Sequence, residues 1–322
     1  MRILLLSPDY RFSKAIGSEL FRDEIARQHE VVRVTGPAEL NPTERVDVRK
    51  LMNEHGDEAS FDLLLVHHLQ FSQQYDGIAG LNIPTCCWMV DYFPRHRDYK
   101  NNIINRHDFD CVFVTQQTFV PECQRNWPDQ PYRVQWLPFS VDPLYFYRSA
   151  DKPRVLTYSA LFSAHAFEYP NRAYVIQILQ DIKRYNPEVE YFARLVEQPQ
   201  DGVYHKAYAR MLGNSKMGVA SLDQHGSCNM RHYEIPMAGA MLLTDGPPRD
   251  FEALGFREGE HYVLYKRPVD LYEVINYYLD HDDERLEIAR AGQELVLKRH
   301  TNEIRVQEMT RIIEEVLLGR KA

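Results

Sequence analysis

The segment from residue 225 to residue 245, HGSCNMRHYEIPMAGAMLLTD, combines a glycine-containing loop, a short helix and an apolar strand. Arg231 and Glu234 are three positions apart, so both side chains lie on one face near the start of the predicted helix. Helix-start N–H groups and a guanidinium suit phosphates, whereas a carboxylate accepts hydrogen bonds from a sugar diol. The spacing predicts either a site for a ligand that carries both groups or a surface ion pair.

Three further features predict phosphate contacts around this helix. Arg172 lies in the first turn of a helix that opens at residues 170–171, where a cation opposes the helix dipole unless an anion binds nearby. Lys216 stands at the start of a strand, either as a phosphate ligand or as a solvated flanking residue. Ser227 and Asn229 precede the helix, and their backbone N–H groups are candidate phosphate donors.

Two positions in the N-terminal half are candidates for catalysis because they follow apolar strands. Asp91 ends the run TCCWMVD, where its carboxylate would deprotonate an acceptor hydroxyl, and the alternative is a capping aspartate. His67 and His68 follow the run DLLLV, and strand alternation would point one into a cleft and the other into packing. A structural histidine is the alternative for each of them.

The composition is that of a soluble globular protein, with 44% hydrophobic and 26% charged residues and a net charge of −8. The negative charge is divided evenly between the two halves, which argues against nonspecific nucleic-acid binding. Neither a G-x-G-x-x-G nor a G-x-x-x-x-G-K-[S/T] sequence occurs, which disfavours dehydrogenase and P-loop functions. Five cysteines without metal-ligand spacing favour a reduced, cytoplasmic protein. No apolar run approaches the roughly 20 residues of a membrane span, so membrane contact is expected to be peripheral at most.

Short apolar runs alternate with helical lengths along the chain, as in parallel sheets that are buried on both faces. Strands are predicted at 2–7, 30–36, 62–68, 85–91, 110–116 and 132–138, and again at 154–161, 189–196, 216–222, 240–245 and 261–265. The proline-rich segment 138–154 is the predicted linker, and helices at 269–280, 283–298 and 303–318 close the chain. The order predicts an α/β protein with two Rossmann-like, doubly wound domains that face a central cleft.

From about Val155 onward, the order of motifs resembles the group-1 glycosyltransferases of the GT-B fold, in particular the spore-maturation-type branch. The matching segments are NSKMGVAS (214–221), R-x-Y-E-x-P-x-A-G-A-x-L-L-T-D (231–245) and FREGEHYVLY (256–265), followed by the helical stretch 269–301 and Arg305. The resemblance implies an acceptor-side domain at 1–148, a donor-binding domain at 149–304 and a final helix, 305–322, that crosses back to the first domain. It also implies that Glu234 binds the ribose of a sugar nucleotide. Many members carry another glutamate eight positions earlier, where this chain has Gly226.

Together these features predict a metal-independent glycosyltransferase that moves a sugar from a nucleotide-diphosphate donor, with UDP or GDP as the nucleotide, to an acceptor hydroxyl. The resemblance implies no cofactor besides that donor, with Arg231, Arg172 and Lys216 offsetting the diphosphate charge. Asp91 or His67 would act near the acceptor or the donor sugar. The acceptor is left open between a glycan, a lipid-linked molecule, a small molecule and modified DNA. A non-catalytic nucleotide-sugar-binding protein and a sugar-nucleotide epimerase are the alternatives from other classes.

Overall fold

The computed structural model describes the chain except for residues 8–15, 36–44, 70–74, 91, 93–95, 129, 131–132, 147–153, 161–170, 196–204, 224, 247 and 319–322. The chain divides into two compact units. One comprises Met1–Pro138 with Asn302–Ala322, and the other comprises Phe139–Thr301. Each unit is built on its own parallel sheet, which confirms the predicted α/β class.

The first unit alternates strands with helices. Its elements are β1 (Arg2–Ser7), α1 (Ile16–Gln28), β2 (Glu30–Thr35), β3 (Val46–Asp47), α2 (Val48–His55), β4 (Leu63–His67), β5 (Tyr75–Asp76), β6 (Thr85–Met89), α3 (Arg97–His107), β7 (Cys111–Val114), α4 (Val120–Gln124) and β8 (Val134–Trp136). Six strands form a sheet in the order β2-β1-β4-β6-β7-β8, and β3 pairs with β5. Strands β4, β6 and β7 are buried throughout, as their continuous apolar sequences predict.

The second unit repeats this pattern with a five-stranded sheet. Its elements are β9 (Arg154–Ala160), α5 (Arg172–Tyr185), β10 (Tyr191–Leu195), α6 (His205–Gly213), β11 (Ser215–Ala220), α7 (Arg231–Met237), β12 (Met241–Thr244), α8 (Phe251–Leu254), β13 (Val263–Leu264), α9 (Asp270–Asp280) and α10 (Asp282–Arg299). The strand order is β10-β9-β11-β12-β13. The chain therefore reverses its winding direction between β9 and β11, and ligands in open α/β sheets bind beyond the strand ends at such a point.

A glycine sets the distance between helix α7 and the second sheet. A Cβ added to Gly218 in β11 would lie 2.8 Å from Cγ2 of Ile235 in α7. Because Gly218 carries no side chain, the helix packs directly on the strand backbone, and Ile235 is buried against it. The close packing fixes the position of the polar residues on the same short helix.

The last helix, α11 (Asn302–Ile313), belongs to the first unit, where it packs on α1. The His29 ring lies 2.8 Å from Thr310 Oγ1, and Gln28 donates to the Glu303 carbonyl at 3.0 Å.

The second unit begins at Phe139, whereas the sequence predicts its boundary at residue 149. The cause is that Val141 donates to the His300 carbonyl at 3.1 Å, which ties this stretch to the end of α10.

Candidate functional site

The polar residues of the segment 225–245 lie at the carboxyl edge of the second sheet. Residues 221–230 connect the end of β11 to α7, and Asp245 directly follows the end of β12. Helix α5 starts with Arg172, beyond the carboxyl end of β9. Strands β9, β11 and β12 are neighbours in the sheet, so these three connections share one edge.

Asp223 organises the loop after β11. Its Oδ1 accepts from the N–H groups of His225 at 2.8 Å and Ser227 at 2.9 Å. The Ser227 N–H, a predicted phosphate donor, is therefore already bound. The Ser227 hydroxyl is buried without a hydrogen-bond partner among the described residues.

Gly226 occupies a backbone conformation that strongly favours glycine. Its φ is +74°, in the left-handed region that L side chains rarely adopt. Its carbonyl accepts from Arg249 N at 2.9 Å, and an added Cβ would contact the Arg249 side chain at 3.5 Å. A carboxylate-bearing residue at this position would strain this form of the loop, so its absence agrees with the local backbone.

Asn229 lies two residues before helix α7 and binds the first N–H group of the helix through its side chain. Its Oδ1 accepts from Arg231 N at 3.1 Å, while its own N–H donates to the His232 ring at 3.0 Å. Its Nδ2 also donates to the Ser221 carbonyl at 2.9 Å, which braces the loop.

The expected helix-start donors are consequently engaged within the protein. Besides Arg231 N, the N–H of His232 donates to the Asn229 carbonyl, and those of Tyr233 and Glu234 donate to the Met230 carbonyl. Helix α7 has only seven residues, so its dipole is small. An anion here would depend on the guanidinium groups more than on these backbone amides.

Glu234 and Arg231 lie together, and Tyr208 from α6 joins them. The Tyr208 hydroxyl donates to Glu234 Oε2 at 3.2 Å and also forms a hydrogen bond with the Arg231 side chain. Glu234 is 6% exposed and Tyr208 is 8% exposed. Burial raises the pKa of Glu234 from 4.5 to about 7, although Arg231 and the Tyr208 hydroxyl favour the charged form. Glu234 and Tyr208 are buried and Arg231 is half-buried, so the group differs from the solvated surface ion pair of the alternative hypothesis.

Asp245 follows β12 and binds residues in the connections that follow β9 and β11. Its carboxylate accepts from Leu222 N at 2.7 Å and from the Asn171 amide at 2.8 Å. Burial raises its pKa from 3.8 to about 6, opposed by these hydrogen bonds and by the nearby charge of Arg172. Arg172 is buried in the first turn of α5, and the carboxylate of Asp245 supplies the negative charge that this position calls for.

Lys216 does not lie at the carboxyl edge of the second sheet. It lies at the amino end of β11 and forms an ion pair with Asp282 at 3.2 Å. Asp282 also pairs with Arg285 at 2.8 Å, so Lys216 belongs to a charge cluster at the start of α10. The strand separates it from the loop at residues 221–230.

In the first unit, His67 is enclosed by aromatic rings at the carboxyl end of β4. It is fully buried and stacks on Trp88, with 4.7 Å between the ring centroids, while Phe21 lies at 6.0 Å. Burial lowers its pKa well below 6.5, which keeps the ring neutral. His68 is also buried, and its φ of +75° is unusual for a residue with a side chain. Both histidines are thus packed, and the other catalytic candidate, Asp91, lies outside the described residues.

Three contributors were not predicted as site residues from the sequence. Tyr208 lies on α6, whose sequence between two strands has no motif that would single it out. Asp223 and Asp245 both follow apolar strands directly, and that placement is the available sequence signal for them. Among the described residues, no group of three or more His, Cys, Asp or Glu side chains is arranged to hold a metal ion.

Comparisons with known proteins address the fold. Across 98% of this chain and 100% of the other, the chain is similar to HepE of Anabaena in complex with UDP-glucose, with a TM-score of 0.65 and 13% identity. The fold is GT-B. The chain is also similar to sucrose-phosphate synthase of Thermosynechococcus elongatus, with a TM-score of 0.64 and 13% identity. The match covers 99% of this chain and 100% of the synthase chain. A glycosyltransferase of Rickettsia africae has a TM-score of 0.59 and 10% identity, with 98% of each chain covered.

The sequence itself also matches a family. Residues 178–311 match the family described as glycosyl transferase-like, and no curated protein matches the chain. The resemblance to glycosyltransferases of the GT-B fold, predicted from motifs in the same region, is confirmed. Within the part of the chain that the structure describes, no helix is long and apolar enough to cross a membrane.

Proposed function

We propose that this protein is a glycosyltransferase that binds a nucleoside diphosphate sugar at the carboxyl edge of its second sheet and transfers the sugar to an acceptor hydroxyl. The observation that carries the proposal is the hydrogen bonding of Tyr208 to both the buried Glu234 carboxylate and the Arg231 side chain, beside the winding reversal of that sheet. The GT-B fold, the match to a glycosyl transferase-like family and the UDP-containing similar structures support it.

The two ends of the donor require different side chains. A ribose diol donates hydrogen bonds, and the Glu234 carboxylate is their acceptor in this proposal. The diphosphate requires positive charge, which Arg231 supplies in this proposal together with Arg172, although Asp245 already offsets part of the charge of Arg172. Uridine diphosphate is the first nucleotide to test, because the structures of HepE contain UDP-glucose, UDP with glucose, and UDP.

In the transfer step, the bond between the sugar C1 and the β-phosphate oxygen breaks, and a bond forms between C1 and the acceptor oxygen. The acceptor hydroxyl loses its proton, and the nucleoside diphosphate leaves with the bonding electrons. Guanidinium groups beside the diphosphate would stabilise the charge that develops on it. The proposal includes that no divalent metal is needed, so transfer should persist in excess EDTA.

Asp91 is proposed as the group that accepts the acceptor proton. It comes directly after Val90 at the end of the TCCWMV segment. Asp91→Asn should abolish transfer while UDP binding persists, because a base for the acceptor is not needed to hold the donor. A cytoplasmic location is part of the proposal, and the five cysteines, free and buried, favour a reducing compartment.

The experiment screens UDP-, GDP-, ADP- and dTDP-linked sugars for thermal stabilisation of the full chain and then measures the Kd of the best ligand by calorimetry. Glu234→Ala should abolish the stabilisation. Glu294→Ala, at an exposed position on α10, is the matched control and should retain it. If no nucleotide stabilises the wild-type protein, or if Glu234→Ala binds as wild type does, the donor site is wrongly assigned.

Binding alone does not distinguish an enzyme from a binding protein. Labelled sugar nucleotide is therefore incubated with a panel of glycan, lipid-linked and small-molecule acceptors, and the products are identified by mass. Transfer supports the glycosyltransferase. Tight binding without transfer or hydrolysis over hours would instead favour the non-catalytic alternative, and a changed sugar without any acceptor would favour an epimerase.

A further inference from the structure

Tyr208 connects the two charged residues of the proposed donor site. It donates to the Glu234 carboxylate at 3.2 Å and shares a hydrogen bond with the Arg231 side chain. Arg231 and Glu234 are on α7, whereas Tyr208 is on α6, so the three groups are held by two helices. The Tyr208 hydroxyl thus touches both the cation assigned to the diphosphate and the carboxylate assigned to ribose.

We propose that Tyr208 is a positioning residue of the donor site, whose hydroxyl keeps the Glu234 carboxylate charged and oriented to accept from the nucleotide ribose. This inference rests on the proposed function, because it needs a nucleotide at Glu234. Tyr208 itself need not contact the nucleotide. Its hydrogen bond engages Oε2, and the ribose hydroxyls would bind the same carboxylate through its other lone pairs.

Burial is the reason that Glu234 needs such a partner. A carboxyl group with 6% exposure loses most of its hydration, and the neutral form is then favoured. Burial raises the pKa of Glu234 to about 7, whereas Arg231 and the Tyr208 hydrogen bond both oppose that rise. A protonated Glu234 has one fewer acceptor site for a ribose diol, so nucleotide affinity should increase with pH through neutrality.

Arg231 and Tyr208 are the groups that determine the charge of Glu234. Among the described residues, Arg231 on its own helix and Tyr208 from α6 are the charged or titratable groups that act on it. Helix α10 reaches α7 through the neutral amide of Gln293, which donates to the Met237 carbonyl at 2.7 Å. Towards β12, His232 bonds to the Thr244 hydroxyl at 3.1 Å, and burial lowers the pKa of that histidine to about 3.

The inference is tested by Tyr208→Phe, which removes the hydroxyl and keeps the ring. The ring can still make its edge contact with Phe146, at 6.2 Å between centroids, so the fold should persist. Tyr233→Phe is the matched control, because Tyr233 is a buried tyrosine on α7 whose hydroxyl lies 3.5 Å from Cys228 Sγ and not at Glu234. UDP affinity is measured by calorimetry for all three proteins between about pH 5.5 and about pH 9.

In the wild type and in Tyr233→Phe, UDP affinity should rise through about pH 7 and then level off. In Tyr208→Phe the midpoint should move to higher pH, because a hydrogen bond that favours the carboxylate is lost. The loss of affinity should be about tenfold at neutral pH and smaller near pH 9.

Two other results would overturn the inference. A Tyr208→Phe profile with the wild-type midpoint, whether at full affinity or uniformly weakened, would show that the hydroxyl does not set the charge of Glu234. An absence of UDP binding by the wild type at every pH would overturn the proposed uridine nucleotide site and this inference with it. The two failures are distinguishable because only the second removes wild-type binding.

Discussion

At the carboxyl edge of the second sheet, carboxylates, amides and guanidinium groups bind one another, whereas at the end of β4 in the first sheet a histidine pair is packed among aromatic rings. Glu234 and Asp245 are both buried, and burial raises their pKa values to about 7 and about 6. His67 is buried to a similar degree, but burial keeps it neutral. Burial favours the neutral form of all three groups, but it moves the pKa values of the two carboxyl groups towards neutral pH and that of the histidine away from it. Groups that titrate near neutrality suit the proposed donor site, whereas a neutral His67 enclosed by rings suits packing.

The largest expected effect on UDP binding follows from removing the positive charge of Arg231. Arg231→Met should weaken UDP binding by about 100-fold, equivalent to about 3 kcal/mol, because a charge-assisted contact to the diphosphate is lost. Calorimetry at neutral pH measures it. Arg290→Met, at an exposed position on α10, is the control and should bind as wild type does. A loss of less than about threefold in Arg231→Met would remove Arg231 from the donor site.

The second prediction concerns the stability of the ligand-free protein. The pKa of Glu234 is raised in the folded state, so its stabilising contribution is complete below about pH 4.5 and is lost as pH rises through about 7. Across this pH range, the titration of Glu234 should lower the free energy of unfolding of the wild type by roughly 3 kcal/mol. Glu234→Gln has no carboxyl group to titrate at this position. The difference between its free energy of unfolding and that of wild type should therefore shift in favour of the variant by roughly 3 kcal/mol as pH rises from about 4.5 to above about 7.

Chemical denaturation of Glu234→Gln and wild type at matched pH values measures this relative change. Glu294→Gln, on the exposed face of α10, should follow the wild-type curve throughout. A constant difference between Glu234→Gln and wild type across the range would mean that Glu234 is not a titrating buried carboxyl group. UDP affinity should fall in the same variant, because a neutral amide is a weaker acceptor for the ribose hydroxyls than a carboxylate.

The third prediction tests the aromatic side of the comparison. His67→Ala should lower the free energy of unfolding by about 2 kcal/mol, because it leaves a cavity between Trp88 and Phe21. UDP affinity, measured at a temperature where the variant is folded, should change by less than about twofold. A large loss of UDP affinity without loss of stability would give His67 a direct part in binding and would contradict its packing role.

The sequence predicts the frame of this molecule well because the frame depends on local patterns. Apolar runs and helical lengths give the strands of the two large sheets and the three closing helices within a few residues, for example Met241–Thr244 where 240–245 is predicted. Arg231 and Glu234 are adjacent in the structure because helix geometry alone brings them together. Helix α6 has no pattern of comparable strength, and its contribution to the site is therefore not apparent from the sequence.

The remaining parts of the site depend on contacts between distant residues. Tyr208 reaches Glu234 across 26 positions, and Asn171 reaches Asp245 across 74. The spacing of residues in a single sequence does not encode such contacts. The loop N–H groups are a different case, because Asp223, Asn229 and the Met230 carbonyl already bind those that were expected to be available. Competition between internal acceptors and a ligand becomes visible only in three dimensions.

The smallest effect is expected at the opposite edge of the second sheet, where Lys216 pairs with Asp282. The two side chains are 32% and 48% exposed, so solvent screens the pair, and Lys216→Met should cost no more than about 1 kcal/mol of stability. UDP affinity should stay within about twofold of wild type, because the lysine lies at the amino end of β11 and the loop at residues 221–230 follows its carboxyl end. Calorimetry on Lys216→Met beside Arg231→Met compares the loss of one cation at each end of the same strand–loop–helix unit. A similar loss of affinity in both variants would mean that net positive charge anywhere in the unit attracts the nucleotide, whereas a loss confined to Arg231→Met would place the anion site at the carboxyl edge.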